Sequence, residues 1–377
     1  MNQSSSSTAN ETNVPWNKIV LGVFLYFIVL VTIFGNILVL VAVKSNKRLQ
    51  TVFNFYVVNL ALTDVLVAVT AMSFYTLDNI LGYWPFGRIM CGVWIFFDYG
   101  MTFASVFTLC IISIDRFWAV NWPIHYKSHH NKKKALGMIC GVWLFTLVLW
   151  LPPCVLDRVQ NYIADDTCIW DPSLNQEMVI VIGVVGHHGS FFLLFGCYLR
   201  VLFVVRRQRK IISAEITPDL SNNSILSRRN QVSNCTVSET DDIPSVSVIC
   251  NKKDNNHLQI PNFYKANSTN SESRSSNNNH RRAENQIKET RTGSKAIKDS
   301  KVFITLTYII VGYIICWVPF HVVYDITAIR PDLVSETMYS ITFWLTYINS
   351  TLNPFLYNFG SPEFRSAFRE ILRGKHM

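Results

Sequence analysis

The chain has few charged residues for its length. Asp, Glu, Lys and Arg make up 16% of its 377 residues, whereas 50% are apolar and 13% are aromatic. A soluble globular protein carries about 25% charged residues. The shortage excludes an ordinary water-soluble domain and indicates that most of the chain lies in a membrane.

Motifs of common enzyme classes are also missing. The sequence contains no zinc-binding helix pattern, phosphate loop or nucleophile elbow. Catalysis needs a nucleophile and a base in one place, and no such pair stands out. We therefore expect no enzymatic activity, no cofactor and no structural metal.

Residues 1–17 lack the apolar core of a signal peptide, so we expect the first apolar stretch to act as the membrane anchor.

Apolar stretches long enough to cross a bilayer recur seven times. The sequence therefore predicts an all-α membrane protein, a bundle of seven transmembrane helices with a short amphipathic eighth helix on the membrane lipids. The stretches cover residues 18–43, 52–78, 91–120, 135–154, 177–205, 302–325 and 336–358. The expected parts are an extracellular segment 1–17, helices in 18–210, a disordered cytoplasmic loop 211–294, helices in 295–358 and an amphipathic tail 359–377.

Basic residues predict the orientation of the bundle. They cluster after the first, third, fifth and seventh stretches, whereas the opposite loops are mostly acidic. Because cytoplasmic loops carry the excess of Lys and Arg, we expect an extracellular N-terminus and a cytoplasmic C-terminus at the cell membrane. This asymmetry accounts for the net charge of +9, so no nucleic-acid partner is expected. The sequons at Asn2 and Asn10 are then expected glycosylation sites.

The nine cysteines do not form a disulfide framework, because most of them lie within apolar stretches. Cys91 begins the third stretch on the outer side, and Cys168 lies in the outer loop before the fifth. An oxidising compartment allows these two to pair, with Cys154 as a competitor.

The third stretch carries charged residues at both ends. Asp98 lies toward its outer end, and Asp115-Arg116-Phe117 lies at its inner end. A helix rises about 1.5 Å per residue, so Asp98 and Arg116 are separated by about 27 Å, close to the thickness of a bilayer core. A buried carboxylate in hydrocarbon needs a cationic partner, and the neighbouring sequence supplies none. The sequence therefore predicts a small amine ligand at Asp98.

Short motifs lie in all seven stretches. They are Gly35-Asn36, Leu60-Ala61-Leu62-Thr63-Asp64, Asp115-Arg116-Phe117, Trp143, Tyr198, Cys316-Trp317-Val318-Pro319-Phe320 and Asn349-Ser350-Thr351-Leu352-Asn353-Pro354-Phe355-Leu356-Tyr357. In this order they resemble the rhodopsin class of G-protein-coupled receptors over nearly the whole chain. The resemblance implies heterotrimeric G proteins as partners, followed by arrestin and receptor kinases.

Polar residues at mid-membrane form one expected site. Asp64 is an acid in the second stretch, and nearby oxygens from other stretches would surround it. A hydrated, allosteric sodium ion is the expected occupant, and a purely structural polar cluster is the alternative. The expected oxygen donors are Ser105, Asn349, Ser350 and Asn353.

The cytoplasmic side would hold an activation switch. Arg116 would pair with Asp115 beside it and with Asp299 at the start of the sixth stretch, which would keep the receptor closed. Activation would free Arg116 for the G protein. The other switch residues are two prolines that allow kinks and two tyrosines that repack: Pro319, Pro354, Tyr198 and Tyr357.

Among members of this class, an aspartate at the position of Asp98 marks receptors for biogenic amines and acetylcholine. Aromatic faces stabilise a desolvated ammonium by about 2 kcal/mol or more each in favourable cases. The expected ligand contacts are Asp98, Tyr99, Thr102, Trp317, Phe320, His321, Phe343 and Tyr347.

Two amine subfamilies fit these residues. The stretch 343–351 is very similar to muscarinic receptors, which makes acetylcholine the first expectation. The alternative is a receptor for histamine, which Trp84-Pro85-Phe86-Gly87 favours, or for another biogenic amine. Muscarinic receptors have tyrosines in place of Phe320 and Phe343, and an asparagine in place of His321.

A membrane transporter is a more remote alternative, but no internal repeat is visible in the sequence.

The fifth stretch departs from the pattern of related receptors. Ile182 and Gly186 replace hydroxyl residues, which disfavours catecholamines. Ser190 replaces the usual proline and should straighten the helix unless Gly189 compensates. His187 is expected to approach His321 beneath the ligand, as a hydrogen-bonded pair, as a ligand contact by His321 or as a zinc site.

Overall fold

The computed structural model describes residues 15–160, 164–216, 235–237, 248–250 and 307–374. Asn2, Asn10 and Asp299 lie outside these described residues, as does most of the segment 211–294. Seven long helices account for most of the described chain. The first to fourth are Trp16–Ser45, Val52–Leu81, Gly87–Asn121 and Lys132–Gln160; the fifth begins at Gln176; the sixth is Thr307–Ile329 and the seventh Glu336–Gly360.

Four short helical segments accompany the long helices. The loop helix Pro123–His129 follows the third helix, and the tail helix Pro362–Leu372 follows the seventh. Single turns of 3-10 helix occur at Lys47–Leu49 and Pro331–Leu333. The tail helix has strong start signals, because Ser361 Oγ accepts a hydrogen bond from Phe364 N at 3.3 Å and a proline occupies its first position.

Within the described residues, six of the helices are long and apolar enough to cross a membrane. The seventh has 25 residues, which also suffices to span, but it is less apolar because polar side chains such as Asn349, Ser350 and Asn353 are buried in it. Those side chains face the bundle and not the lipid. The predicted all-α bundle of seven helices is confirmed.

The third helix is the central element of the bundle. In its most apolar window 83% of the residues are buried, compared with 28% in the first helix. Polar side chains tie it to its neighbours: Asn59 Nδ2 donates to Thr108 Oγ1 at 2.8 Å, and Trp143 Nε1 donates to Asn59 Oδ1 at 3.0 Å. One amide therefore links the second, third and fourth helices.

The fourth helix is longer than the sequence suggested. It continues through Pro152 and Pro153 to Gln160, beyond the expected end at residue 154. Contacts outside the helix hold the extra turn: Arg88 Nη2 donates to Arg158 O at 2.7 Å, and Arg158 Nη2 donates to Ile169 O at 2.8 Å. These hydrogen bonds stabilise the last turn despite the two prolines.

The fifth helix is irregular, although Ser190 replaces the proline that is usual there in related receptors. It runs as Gln176–Val181, a wider π-helical segment Ile182–Gly189, and Ser190–Ile216. A Cβ atom at Gly189 would lie 2.9 Å from Val184 O, so glycine is needed there. Ser190 Oγ also donates to Gly186 O at 2.6 Å. The substitution of the proline therefore does not straighten the helix, and Gly189 allows the wide segment.

The outer loop is anchored to the bundle by a disulfide. Cys91 and Cys168 are bonded, with their Cα atoms 5.5 Å apart, whereas Cys154 is a free thiol. The predicted pairing of Cys91 with Cys168 is confirmed. The bond places the loop residues 168–172 beside the outer end of the third helix.

The described chain divides into two units. The first contains the residues up to Val205 and those from Ile297 onward. The second is Arg206–Ala296, in which the structure describes the end of the fifth helix and a hairpin of two strands, β1 Cys235–Val237 and β2 Val248–Cys250. The strands are antiparallel, with Cys235 opposite Cys250.

Candidate functional site

A narrow cavity lies between the third, fifth, sixth and seventh helices. Its volume is about 10 Å³, close to the space of one water molecule. It is lined by Asp98, Tyr99, Thr102, Phe103, His187, Trp317, Phe320, Phe343 and Thr346. A wider vestibule of about 420 Å³ lies toward the disulfide-bonded loop, and Asp98, Tyr99 and Phe343 line both spaces.

Asp98 is the only carboxylate among the described residues that line the narrow cavity. It is 1% exposed, and Tyr347 donates its hydroxyl to Asp98 Oδ1 at 2.7 Å. Among the described residues, none of the ion pairs of Lys, Arg or His involves Asp98. One neutral hydrogen bond does not compensate for a buried negative charge, so the site is suited to a cation.

Aromatic rings surround the carboxylate. Tyr99 stacks on Trp150 with ring centroids 4.6 Å apart, which fixes its orientation. Phe343 packs against Phe320 at 5.2 Å and against Tyr347 at 5.1 Å. Such ring faces stabilise an ammonium group beside a carboxylate.

The structure brings most of the expected ligand contacts together. Six of the eight line the narrow cavity, Tyr347 binds Asp98, and His321 lies behind His187. Sequence reasoning did not select Phe103 and Thr346 as contacts. Both lie one helical turn from expected contacts, Phe103 after Tyr99 and Thr346 after Phe343, and that spacing is a signal that would have identified them.

The vestibule is closed off partly by two tyrosines. The hydroxyls of Tyr99 and Tyr339 are 3.4 Å apart and bridge the third and seventh helices. Trp170, from the disulfide-anchored loop, packs 5.7 Å from the Tyr99 ring and stacks on Tyr324 at 6.2 Å. The path to Asp98 from outside therefore runs between aromatic side chains of the loop and of three helices.

The wall formed by the fifth helix has no room for a hydroxyl residue at Gly186. A Cβ atom there would lie 2.8 Å from the Phe103 ring. The hydroxyl of Ser190 is already engaged with the carbonyls of Gly186 and His187. His187 is therefore the one polar side chain from the fifth helix that lines the cavity in the described structure.

His187 and His321 stack rather than share a proton. Their ring centroids are 4.8 Å apart and the planes differ by 12°. Both rings are buried, and in the described part of the chain His187 Nδ1 and His321 Nε2 have no hydrogen-bond partner. No group of three or more metal-binding side chains occurs among the described residues.

Asp64 forms a second buried polar cluster, deeper in the bundle. Ser105 Oγ donates to Asp64 Oδ1 at 2.8 Å, and Asn353 Nδ2 donates to Asp64 Oδ2 at 2.7 Å. Ser350 lies close to this carboxylate, and Asn349 is buried on the same helix. The cluster joins the second, third and seventh helices.

At the opposite end of the third helix, Arg116 is held by Asp115. Arg116 Nε donates to Asp115 Oδ2 at 3.0 Å, and Arg116 Nη2 contacts the same oxygen. Tyr126 of the loop helix donates to Asp115 Oδ1 at 2.9 Å, and His130 Nε2 lies 3.0 Å from that atom. Burial raises the pKa of Tyr126, so its phenol stays protonated and serves as the donor.

The remaining switch residues lie on the sixth, seventh and fifth helices. Pro354 interrupts the seventh helix and packs against Gly35, where a Cβ atom would lie 2.9 Å from the proline ring. Tyr357 stacks on Phe364 of the tail helix at 5.6 Å. Tyr198 donates to Thr307 Oγ1 at 3.5 Å, and Pro319 lies within the sixth helix.

Comparison with known proteins gives one family match. Residues 35–357 match the family described as "7 transmembrane receptor (rhodopsin family)". The matched range contains Asp64, Asp98, the Asp115-Arg116 pair and Pro354.

Individual relatives are amine receptors by name. The chain is 30% identical to the alpha-1A adrenergic receptor of Bos taurus over 380 residues, which covers 99% of the chain and 72% of the relative. The Homo sapiens receptor of the same name is also 30% identical over the same shares. Octopamine receptor beta-1R of Drosophila melanogaster is 28% identical, covering 92% of the chain and 60% of the relative.

Proposed function

Because the chain belongs to the rhodopsin family of seven-transmembrane receptors, we propose that it is a G-protein-coupled receptor for a small protonated amine. The family is one of receptors and not of enzymes, and its members pass through the membrane several times. The observation that carries the proposal is the buried Asp98 carboxylate, which is surrounded by aromatic rings and bound by one neutral donor.

The ligand that we propose is a biogenic amine other than acetylcholine. Acetylcholine was the first expectation from the sequence, but the relatives described above are adrenergic and octopamine receptors, which favours the alternative of another amine. Phe320 and Phe343 support this choice, because neither ring offers the hydroxyl that muscarinic receptors have there.

The proposed mechanism couples the two ends of the third helix. An amine at Asp98 would contact aromatic rings of the sixth and seventh helices and so shift the population toward a state in which these helices move. The Asp115-Arg116 pair would then open and free Arg116 for a heterotrimeric G protein. Arrestin and receptor kinases would recognise the same activated state. In the proposed orientation the Asp98 end is extracellular.

Asp98→Asn tests the amine site. We expect it to lower the potency of the activating amine about 100-fold or more, because breaking a buried ion pair costs about 3 kcal/mol or more. Nucleotide exchange on G proteins, measured with octopamine, histamine, noradrenaline and acetylcholine, is the readout.

The control is Asp325→Asn. Asp325 pairs with the half-exposed His188 at 3.1 Å and does not line the cavity. The Asp325→Asn receptor should respond to the amine like the wild-type chain. An Asp98→Asn protein that reaches the cell surface and keeps full amine potency would contradict the proposal, and a wild-type response to acetylcholine alone would overturn the choice of ligand.

His187 would supply a second ligand contact. In the described structure, His187 Nδ1 is buried and has no hydrogen-bond partner, and the fifth helix presents no hydroxyl to the same cavity. A neutral imidazole both donates and accepts hydrogen bonds. We therefore propose that the amine carries a hydrogen-bonding group on an aromatic ring. The cavity must widen to admit that ring.

His187→Phe keeps an aromatic ring but removes both ring nitrogens. The potency advantage of tyramine over phenethylamine, which lacks the phenol, should fall about tenfold, the usual scale for one buried hydrogen bond. His321→Phe should leave the advantage intact. If His187→Phe also leaves the advantage unchanged, the ring of the amine does not bind His187.

For the Asp64 cluster we propose a bound sodium ion. The residues fit a hard cation, because they offer one carboxylate with hydroxyl and amide oxygens. Asp64 would hold the ion, with Ser105, Ser350, Asn349 and Asn353 completing the site. The ion would supply positive charge to a buried carboxylate and favour the inactive packing of the second, third and seventh helices.

Sodium in place of potassium should raise the unfolding temperature of the purified receptor, and Asp64→Asn should abolish the difference. Thr76→Ala is the control, because that hydroxyl donates only to Met72 O in the same helix. An equal sodium effect in Asp64→Asn would show that the cluster is purely structural.

A further inference from the structure

A large cavity lies at the Arg116 end of the bundle, between the loop helix and the start of the fourth helix. We call this space of about 750 Å³ the lower cavity. Its lining contains three histidines, one lysine and two tryptophans: His125, His129, His130, Lys134, Trp118 and Trp122. The proposed amine mechanism uses none of these six residues.

The charge of the lower cavity favours an anion. None of the described residues that line it is acidic. The Asp115 carboxylate is close to this lining, but it is fully buried and already bound by Arg116 and Tyr126, and His130 Nε2 lies 3.0 Å from it. Lys133 adds positive charge next to Lys134 in the sequence. This is the basic side of the bundle, which faces the anionic leaflet of a cell membrane.

The lower cavity adjoins an apolar groove between the third, fourth and fifth helices. Met138 lines both spaces, so they are neighbours at this residue. Gly137 lines the cavity and Gly141 lines the groove one turn farther along, and a Cβ atom at either would meet nothing within 4 Å. Phe107 and Phe145 form part of the groove.

This shape suits an amphiphile. A space with three histidines and one lysine in its wall lies at the membrane boundary next to an apolar groove at membrane depth, and the exposed Trp118 and Trp122 are part of that wall. Tryptophan prefers the level of the lipid headgroups. A G protein would contact the basic residues from the aqueous side, but it would not fill a groove that runs along the membrane-spanning part of the fourth helix.

We propose that the lower cavity and the groove bind one anionic phospholipid of the cytoplasmic leaflet. Its phosphate contacts His125, His129 and Lys134, and one acyl chain lies along Gly137 and Gly141. The bound lipid also acts on the switch, because His130 lines the cavity and its Nε2 atom lies 3.0 Å from Asp115 Oδ1. Holding His130 in place stabilises Asp115 in its pair with Arg116 and lowers agonist-free nucleotide exchange.

Two variants test the two halves of the site. Lys134→Gln removes a headgroup contact, and Gly141→Leu fills the groove. The receptor is placed in nanodiscs of phosphatidylcholine with phosphatidylserine, and native mass spectrometry counts the phosphatidylserine molecules that remain bound. We expect retention to fall about fivefold in Lys134→Gln, the effect of one lysine near an anionic surface. Gly141→Leu should lose the lipid as well.

Each variant has a matched control. Lys132→Gln makes the same charge change, but its ammonium lies 5.7 Å above the Phe55 ring and does not line the cavity. Gly196→Leu adds the same side chain at another open glycine, on the fifth helix. Both controls should retain the lipid. An unchanged unfolding temperature in pure phosphatidylcholine verifies that each variant is folded.

Three results would overturn the proposal. The first is equal retention of phosphatidylserine by Lys134→Gln, Gly141→Leu and the wild-type chain. The second is an equal loss of phosphatidylserine in Lys132→Gln, which would mean that general surface charge, and not the lower cavity, retains the lipid. The third is a loss of agonist-driven exchange by Lys134→Gln in pure phosphatidylcholine, which would assign the residue to the G protein. The lipid readout does not depend on the proposed amine function.

Discussion

The unpaired charge of Asp98 is the constraint on which the account depends. A carboxylate that is 1% exposed at membrane depth is costly, and among the described residues only the Tyr347 hydroxyl offsets that cost. The free energy that would be gained by pairing this charge is therefore available to a ligand. The surrounding rings restrict that ligand to a small cation, and the disulfide-anchored loop with Trp170 limits the route by which it arrives.

The third helix connects this site to the opposite membrane surface. It is the most buried helix of the described bundle, it carries Asp98 near one end, and it ends close to the Asp115-Arg116 pair. Hydrogen bonds at Asn59 and at Asp64 tie its middle to the second, fourth and seventh helices. A change at Asp98 therefore acts on a rigid element whose far end contacts the loop helix and, through His130, the lower cavity.

Much of the fold could be predicted because membrane helices follow local rules. Apolar length located the seven helices to within a few residues at most ends, and the burial of Asp98 followed from its place in an apolar stretch. The extension of the fourth helix past Pro152 and Pro153 could not be predicted, because it depends on hydrogen bonds with Arg88 and with the outer loop. Phe103 filling the space beside Gly186 and the stacking of His187 on His321 likewise depend on packing between helices. For the same reason, the sequence alone predicted a site for an amine but did not identify which amine binds there.

The most direct test of the central claim is a binding cycle with one amine and an uncharged isostere, in which a hydroxyl replaces the amino group. Both are measured by equilibrium competition on the wild-type receptor and on Asp98→Asn in the same membranes. We expect the wild-type chain to bind the amine about 100-fold or more tightly than the isostere, and Asp98→Asn to remove most of this difference. An equal preference for the amine in both proteins would contradict the ion pair at Asp98.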